Sequence, residues 1–174
     1  AQLERIIDRL RQEIPDICLR TTLITGFPGE TKEDHEQLLD FIDRMEFDRL
    51  GVFTYSQEED TPAALMEDQI EEEVKQKRFA ELMELQQEIA FAAAEDMVGR
   101  VVTAVVEGRV ADENAYVART YRDAPGVDGL LFVNTQRELI TGDFVKVRVS
   151  DVYEYDLMGV LEDVVMMCGV FCVP

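Results

Sequence analysis

The stretch Thr21 to Thr31, TTLITGFPGET, limits the fold more than any other part of the chain. A β-rich run, with Ile17, Leu19, Thr21 and Leu23 alternating against Cys18, Arg20, Thr22 and Ile24, breaks at Gly26-Phe27-Pro28-Gly29. A helix then begins at Thr31, whose hydroxyl can cap it while Asp34, three residues on, reaches back. Strand, glycine turn and helix start within about a dozen residues describe one βα unit of a parallel sheet. Ligands of such units sit at the C-terminal edge of the strand, where glycine lets backbone approach them and the helix start offers free N–H groups.

The neighbours fit the same plan. Leu3, Ile6, Ile7, Leu10 and Ile14 recur at helical spacing until Pro15. After the glycine turn a helix from about Lys32 to Met45 buries Leu38, Leu39, Phe41 and Ile42, and a second strand runs from Arg49 to Ser56. Right-handed crossover makes the two strands parallel neighbours. Two strands do not sustain a parallel sheet, so further strands are expected upstream of Ala1. A polar loop, 57–67, leads to a long helix capped at Asp68, with Ile70, Val74, Leu82, Leu85, Ile89 and Ala93 as its buried stripe to about Asp96. It would span roughly 40 Å, enough to lead from one domain into another. From Arg100 the period falls to two. Val101 to Glu107, Tyr116 to Thr120, Gly129 to Val133, Phe144 to Val149 and Leu157 to Leu161 read as five short antiparallel strands closing a small barrel.

Charge narrows the partners. A formal net charge of −20, from 17 basic and 37 acidic residues, repels phosphate backbones and attracts basic ones, and no local basic stripe relieves it. Three cysteines, Cys18, Cys168 and Cys172, are too few for a disulfide scaffold and suit a reducing, cytoplasmic setting. Ala1 to Leu10 reads as a charged amphipathic helix, so a secretory signal peptide is not expected there. The run Val164 to Pro174 is uncharged but too short to cross a bilayer of about 30 Å, so no membrane is expected. Cys168 and Cys172 have C-x₃-C spacing without the third cysteine a cluster loop needs, and read as part of an apolar tail.

GFPGET after a strand, FDRLGVFTYS some twenty residues on, the TPAA turn, the LMELQQEIA helix, RTYRDAPGVDGLLFV, and GDFVKVRVSD followed by EYDLMG occur here in one order. The chain thereby resembles the methylthiotransferase branch of the radical S-adenosylmethionine enzymes, over roughly residues 1–163. Within that branch it looks most like the enzymes that methylthiolate an aspartate of a small-subunit ribosomal protein. The resemblance implies an α/β part followed by an all-β part. Residues 1–96 would be the C-terminal portion of a partial (β/α) radical-SAM barrel, 97–163 a five-stranded OB-like TRAM barrel, and 164–174 a tail outside the family pattern. It further implies S-adenosylmethionine as cofactor and two 4Fe–4S clusters in the full-length enzyme. The cluster cysteines would lie upstream, so this chain should hold no cluster and be inactive alone. In the full enzyme a radical would take a β-hydrogen from the aspartate before methylthio transfer.

The resemblance also supplies site residues. If Leu19, Thr21 and Leu23 pack under the helices, Arg20, Thr22 and Ile24 face the barrel lumen. An arginine there demands an anion, the carboxylate of cofactor or substrate on one reading and an upstream acid on the other. Ile24 and the turn Gly26, Phe27, Pro28, Gly29 and Glu30 would lie along the adenosine. The family's usual acid position falls on Gly29 here, leaving Glu30 with a second reading as a helix-dipole partner. Phe53 and Tyr55 would meet the adenine, against plain core packing for Phe53. Asp60 stands where relatives usually have glycine. His35, among acids at a helix start, reads as a solvated surface residue. In 97–163 seven bases face twelve acids, which favours a basic small-subunit ribosomal protein over nucleic acid as partner. The rival readings are a tRNA methylthiotransferase of the same superfamily and a non-catalytic TRAM-type binding module.

Overall fold

A computed structural model describes residues 2–162 and divides the chain into two compact units, 1–93 and 94–174. The tail with Cys168 and Cys172 therefore lies outside the described residues. In the first unit the elements are α1 (Gln2–Glu13), β1 (Arg20–Thr25), α2 (Lys32–Met45), β2 (Arg49–Thr54), a short 3₁₀ turn (Pro62–Leu65) and α3 (Glu72–Glu95). β1 and β2 pair in parallel, Arg20 opposite Arg49 through Thr25 opposite Thr54.

Local chemistry accounts for most of these boundaries. Thr31 and Asp34 form the reciprocal capping box at the start of α2. The helix ends at Glu46 in a left-handed conformation, and Arg11 of α1 donates to the carbonyls of Met45 and Glu46. One sheet face is covered. Leu19 packs with Ile7, Met45 and Phe47, and Leu23 with Ile42, Val52 and Leu82. Cys18, part of the β-rich run read in the sequence, precedes β1 and is half-buried.

α3 departs from the sequence reading. It begins at Glu72, because Asp68 is engaged elsewhere: its carbonyl accepts from the Gly29 amide in the glycine turn. Its buried residues are Lys75, Arg78, Leu82, Gln86 and Ala90, while Val74 is exposed. Leu82 of the expected stripe is fully buried and Leu85 and Ile89 pack against the same core, but the buried phase also takes in three polar side chains, each bonded to groups outside the helix. The Gln86 amide, for instance, donates to the Phe47 carbonyl at 2.9 Å.

In the second unit β3 (Val101–Arg109), β4 (Ala115–Thr120), β5 (Leu131–Asn134), β6 (Phe144–Tyr153) and β7 (Asp156–Leu161) close a barrel in the order β3-β4-β5-β7-β6. This is the OB-like architecture expected. One pairing differs: β5 and β7 run parallel, since the chain must cross from β5 through β6 before β7 can seal the gap. Inward residues Val102, Ala104, Val106, Ala118, Leu131, Val133, Val147 and Val149 fill the interior.

Candidate functional site

The face of the β1–β2 sheet turned away from α2 and α3 is open. Arg20, Thr22 and Ile24 project from it, and Phe53, opposite Ile24 in register, stands 62% exposed beside an Ile24 that is 58% exposed. Phe53 is therefore not a core residue. Alternation sends Leu23 and Val52 to the covered face, which leaves Phe53 on the other. An exposed Ile–Phe pair on a sheet face, with Phe27 also exposed at the strand end, is an apolar surface that awaits a covering group.

The turn after β1 carries that surface. Gly26, at φ +73°, is pressed against α3 so closely that an added Cβ would collide with Lys75 Cγ. Pro28 is buried and the Gly29 amide donates to Asp68, which fixes the turn from below. Phe27 leans edge-on against Tyr55 with ring centroids 5.2 Å apart. Lys75 Nζ lies 5.5 Å from the centre of the Tyr55 ring and donates to the Tyr55 carbonyl at 3.1 Å. The Tyr55 hydroxyl is buried and has no hydrogen-bond partner among the described residues.

Glu30 turns inward. Its carboxylate accepts from the Gly26 amide at 2.9 Å, from the Thr25 hydroxyl at 3.3 Å and from Arg78 Nη1 at 2.6 Å, and Arg78 also donates to the Glu30 carbonyl. With side chains 10% and 13% exposed, the ion pair is nearly enclosed. The structure thus engages this carboxylate inside the turn and does not leave it for the helix dipole.

Lys75 and Arg78 were missed in the sequence. Their signal was phase: positions 75, 78, 82 and 86 share one side of a helix, and three of the four are polar. His35 was misread. It is buried against α3, with Nε2 2.8 Å from Glu81 Oε2. Asp60 does take positive φ, at +63°. A cleft of about 410 Å³ between α2 and α3 is lined by Asp40, Asp43, Glu81, Glu84 and Glu88 above Leu39 and Leu85.

On the barrel, Glu107 pairs with Arg119 at 2.7 Å, and Glu162 takes Arg148 through two bonds. Two of the seven basic side chains of 97–163 are thereby neutralised by neighbours. No described helix is long and apolar enough to cross a membrane.

The closed five-stranded unit is a TRAM domain: residues 98–161 match the family model of that description. Over most of its length the chain is similar to proteins named ribosomal protein uS12 methylthiotransferase RimO. It is 57% identical over 161 residues to the protein named RimO from Lachnoclostridium phytofermentans, covering 92% of this chain and 37% of that one. To the RimO of Desulfitobacterium hafniense it is 49% identical over 158 residues, 91% of this chain and 35% of the relative. The RimO of Alkaliphilus oremlandii gives 43% over 162 residues. The chain spans little more than a third of the length of these relatives.

Proposed function

We propose that the chain is part of a methylthiotransferase that adds a methylthio group to the β-carbon of an aspartate in ribosomal protein uS12, in the cytoplasm. The observation that carries this reading is the 57% identity over 92% of the chain to a protein of that name. S-adenosylmethionine and two 4Fe–4S clusters supply the radical and sulfur chemistry when bound. The clusters need a set of thiolates, and Cys18 is the one cysteine among the described residues. As the resemblance implies, we assign their ligands to a cysteine loop upstream of these residues in a longer protein.

The residues that are present fit the nucleoside end of S-adenosylmethionine. Ile24 and Phe53 offer an apolar bed, the backbone at Gly26, Phe27, Pro28 and Gly29 forms its rim, and the orphaned Tyr55 hydroxyl is a polar atom in want of a partner. Arg20 and Thr22, on the same face, supply a cation and a hydroxyl for a carboxylate. Glu30 supports this surface from behind. For the substrate, the acid-lined cleft between α2 and α3 and the excess of acids in the barrel unit both favour a cationic polypeptide over a polyanion.

The test uses the complete protein, loaded with clusters and given S-adenosylmethionine, a sulfur source and a reductant. The expected product is uS12 heavier by one methylthio group at a single aspartate. Unmodified uS12 together with methylthio-labelled tRNA would overturn the reading. Arg20→Ala should abolish turnover while cluster content is kept; full turnover would remove Arg20 from the site.

A further inference from the structure

Resting on the cofactor reading above, we propose that Lys75 and Arg78 of α3, with Glu30, are positioning residues. They hold the turns after β1 and β2 in the one arrangement that presents the S-adenosylmethionine surface. Lys75 packs behind Gly26 and Tyr55, and Arg78 behind Glu30, so each acts through a turn that borders that surface.

The contacts form two linked braces. Arg78 Nη1 donates to both the carbonyl and the carboxylate of Glu30, and the other carboxylate oxygen takes the Gly26 amide. The conformation of the turn from Gly26 to Glu30 is thus set by a cation fixed in α3. One helical turn earlier, the Lys75 stem fills the space beneath Gly26 where any side chain would collide, and its ammonium donates to the Tyr55 carbonyl just past β2. Tyr55 in turn meets Phe27, at the tip of the first turn. One face of α3, through residues three apart, therefore ties both strand ends together.

Stability alone does not explain this choice of residues. Enclosing an arginine and a glutamate carries a desolvation cost that packed apolar side chains of the same volume avoid, and such replacements are often neutral or stabilising. What the ion pair adds is direction, because the Glu30 carboxylate takes the Gly26 amide, the Thr25 hydroxyl and the Arg78 guanidinium together, which an apolar side chain could not. If the turns adopt the competent arrangement only part of the time, apparent affinity falls by that fraction even though every cofactor contact remains available.

The experiment uses the complete, cluster-loaded protein. It compares wild type, the double variant Glu30→Met/Arg78→Met, Lys75→Met, and Ile42→Val, a core change away from both turns. The readouts are the dissociation constant for S-adenosylmethionine by equilibrium dialysis, the melting temperature, and amide hydrogen exchange of residues 21–31 without cofactor. The expected result is a loss of affinity of about tenfold in the double variant, the scale of a lost charge-assisted bond, with faster exchange in 21–31 and little change in melting temperature. Lys75→Met, which keeps the stem but not the ammonium, should lose less, and Ile42→Val nothing. Affinity unchanged in both Met variants, or falling only in step with melting temperature across all of them, overturns the inference while leaving the cofactor reading intact. If the wild-type protein does not bind S-adenosylmethionine, that reading falls and this one with it.

Discussion

In the barrel of β3 to β7 ring closure seals the inward side chains, and Leu131, Val133 and Val147 are wholly buried. The β1–β2 sheet has no such closure, and the same alternation that buries Leu23 and Val52 leaves Ile24 and Phe53 in the open. Polar groups follow the opposite trend. The two ion pairs described on the barrel are partly exposed, whereas the first unit encloses Glu30 with Arg78 and His35 against Glu81. The barrel has satisfied its apolar surface and keeps its charges at the periphery. The open sheet has an unsatisfied face and buried charges behind it, which is the distribution expected of an element built to present a surface rather than to stand alone.

That contrast is most directly broken by truncation on each sheet. Leu131→Ala removes a large side chain from the sealed interior and should cost about 2–5 kcal/mol in urea unfolding followed by circular dichroism. Gly159→Ala tests the same closure from the backbone side. Its Cβ would come 2.5 Å from Val147 Cγ1 and 2.7 Å from the Arg148 carbonyl oxygen, so a loss of about 1–3 kcal/mol is expected. Phe53→Ala removes a larger side chain than either, yet from an exposed position, and should shift stability by no more than about 0.5 kcal/mol. In the complete protein the same change should weaken S-adenosylmethionine binding. A large stability loss from Phe53→Ala in this chain would mean that the face is not open, and the comparison would fail there.

What the sequence disclosed follows the range of the interactions involved. α2 was legible to the residue because Thr31 and Asp34, three apart, write its start. The faces of β1 were legible because alternation is local, and so were the barrel strands, as in the valine and charge alternation of Phe144 to Val149. Errors fell where the deciding partner is distant. Arg78 is buried because Glu30, 48 residues earlier, needs a cation, and His35 because Glu81, 46 residues later, packs over it. A helical wheel shows neither partner, so Arg78 drew no reading and His35 read as solvated. The parallel pairing of β5 with β7 escaped for the same reason: it comes from ring closure, not from any hairpin signal. The site residues divide likewise. Arg20, Thr22, Ile24 and Phe53 could be assigned to one face from periodicity, whereas the inward turn of Glu30 could not.

The smallest expected effect concerns the junction between turn and helix, where the open unit depends on an exposed charge. The Thr31 backbone amide, and then its hydroxyl, donate to Asp34 and hold its carboxyl below the usual carboxylate range. A lowered value in the folded state means that the native chain releases this proton more readily than the unfolded one. The stabilisation is therefore complete above the ordinary carboxylate value and is lost as pH falls through the folded one. Asp34→Asn keeps an acceptor in place but removes the charge, so its urea midpoint should lie slightly below wild type near neutrality. The gap should narrow on acidification. A gap independent of pH would show that the box acts through hydrogen-bond geometry alone, and that the only ionic control of the glycine turn comes from behind it, through the enclosed pair of Glu30 with Arg78.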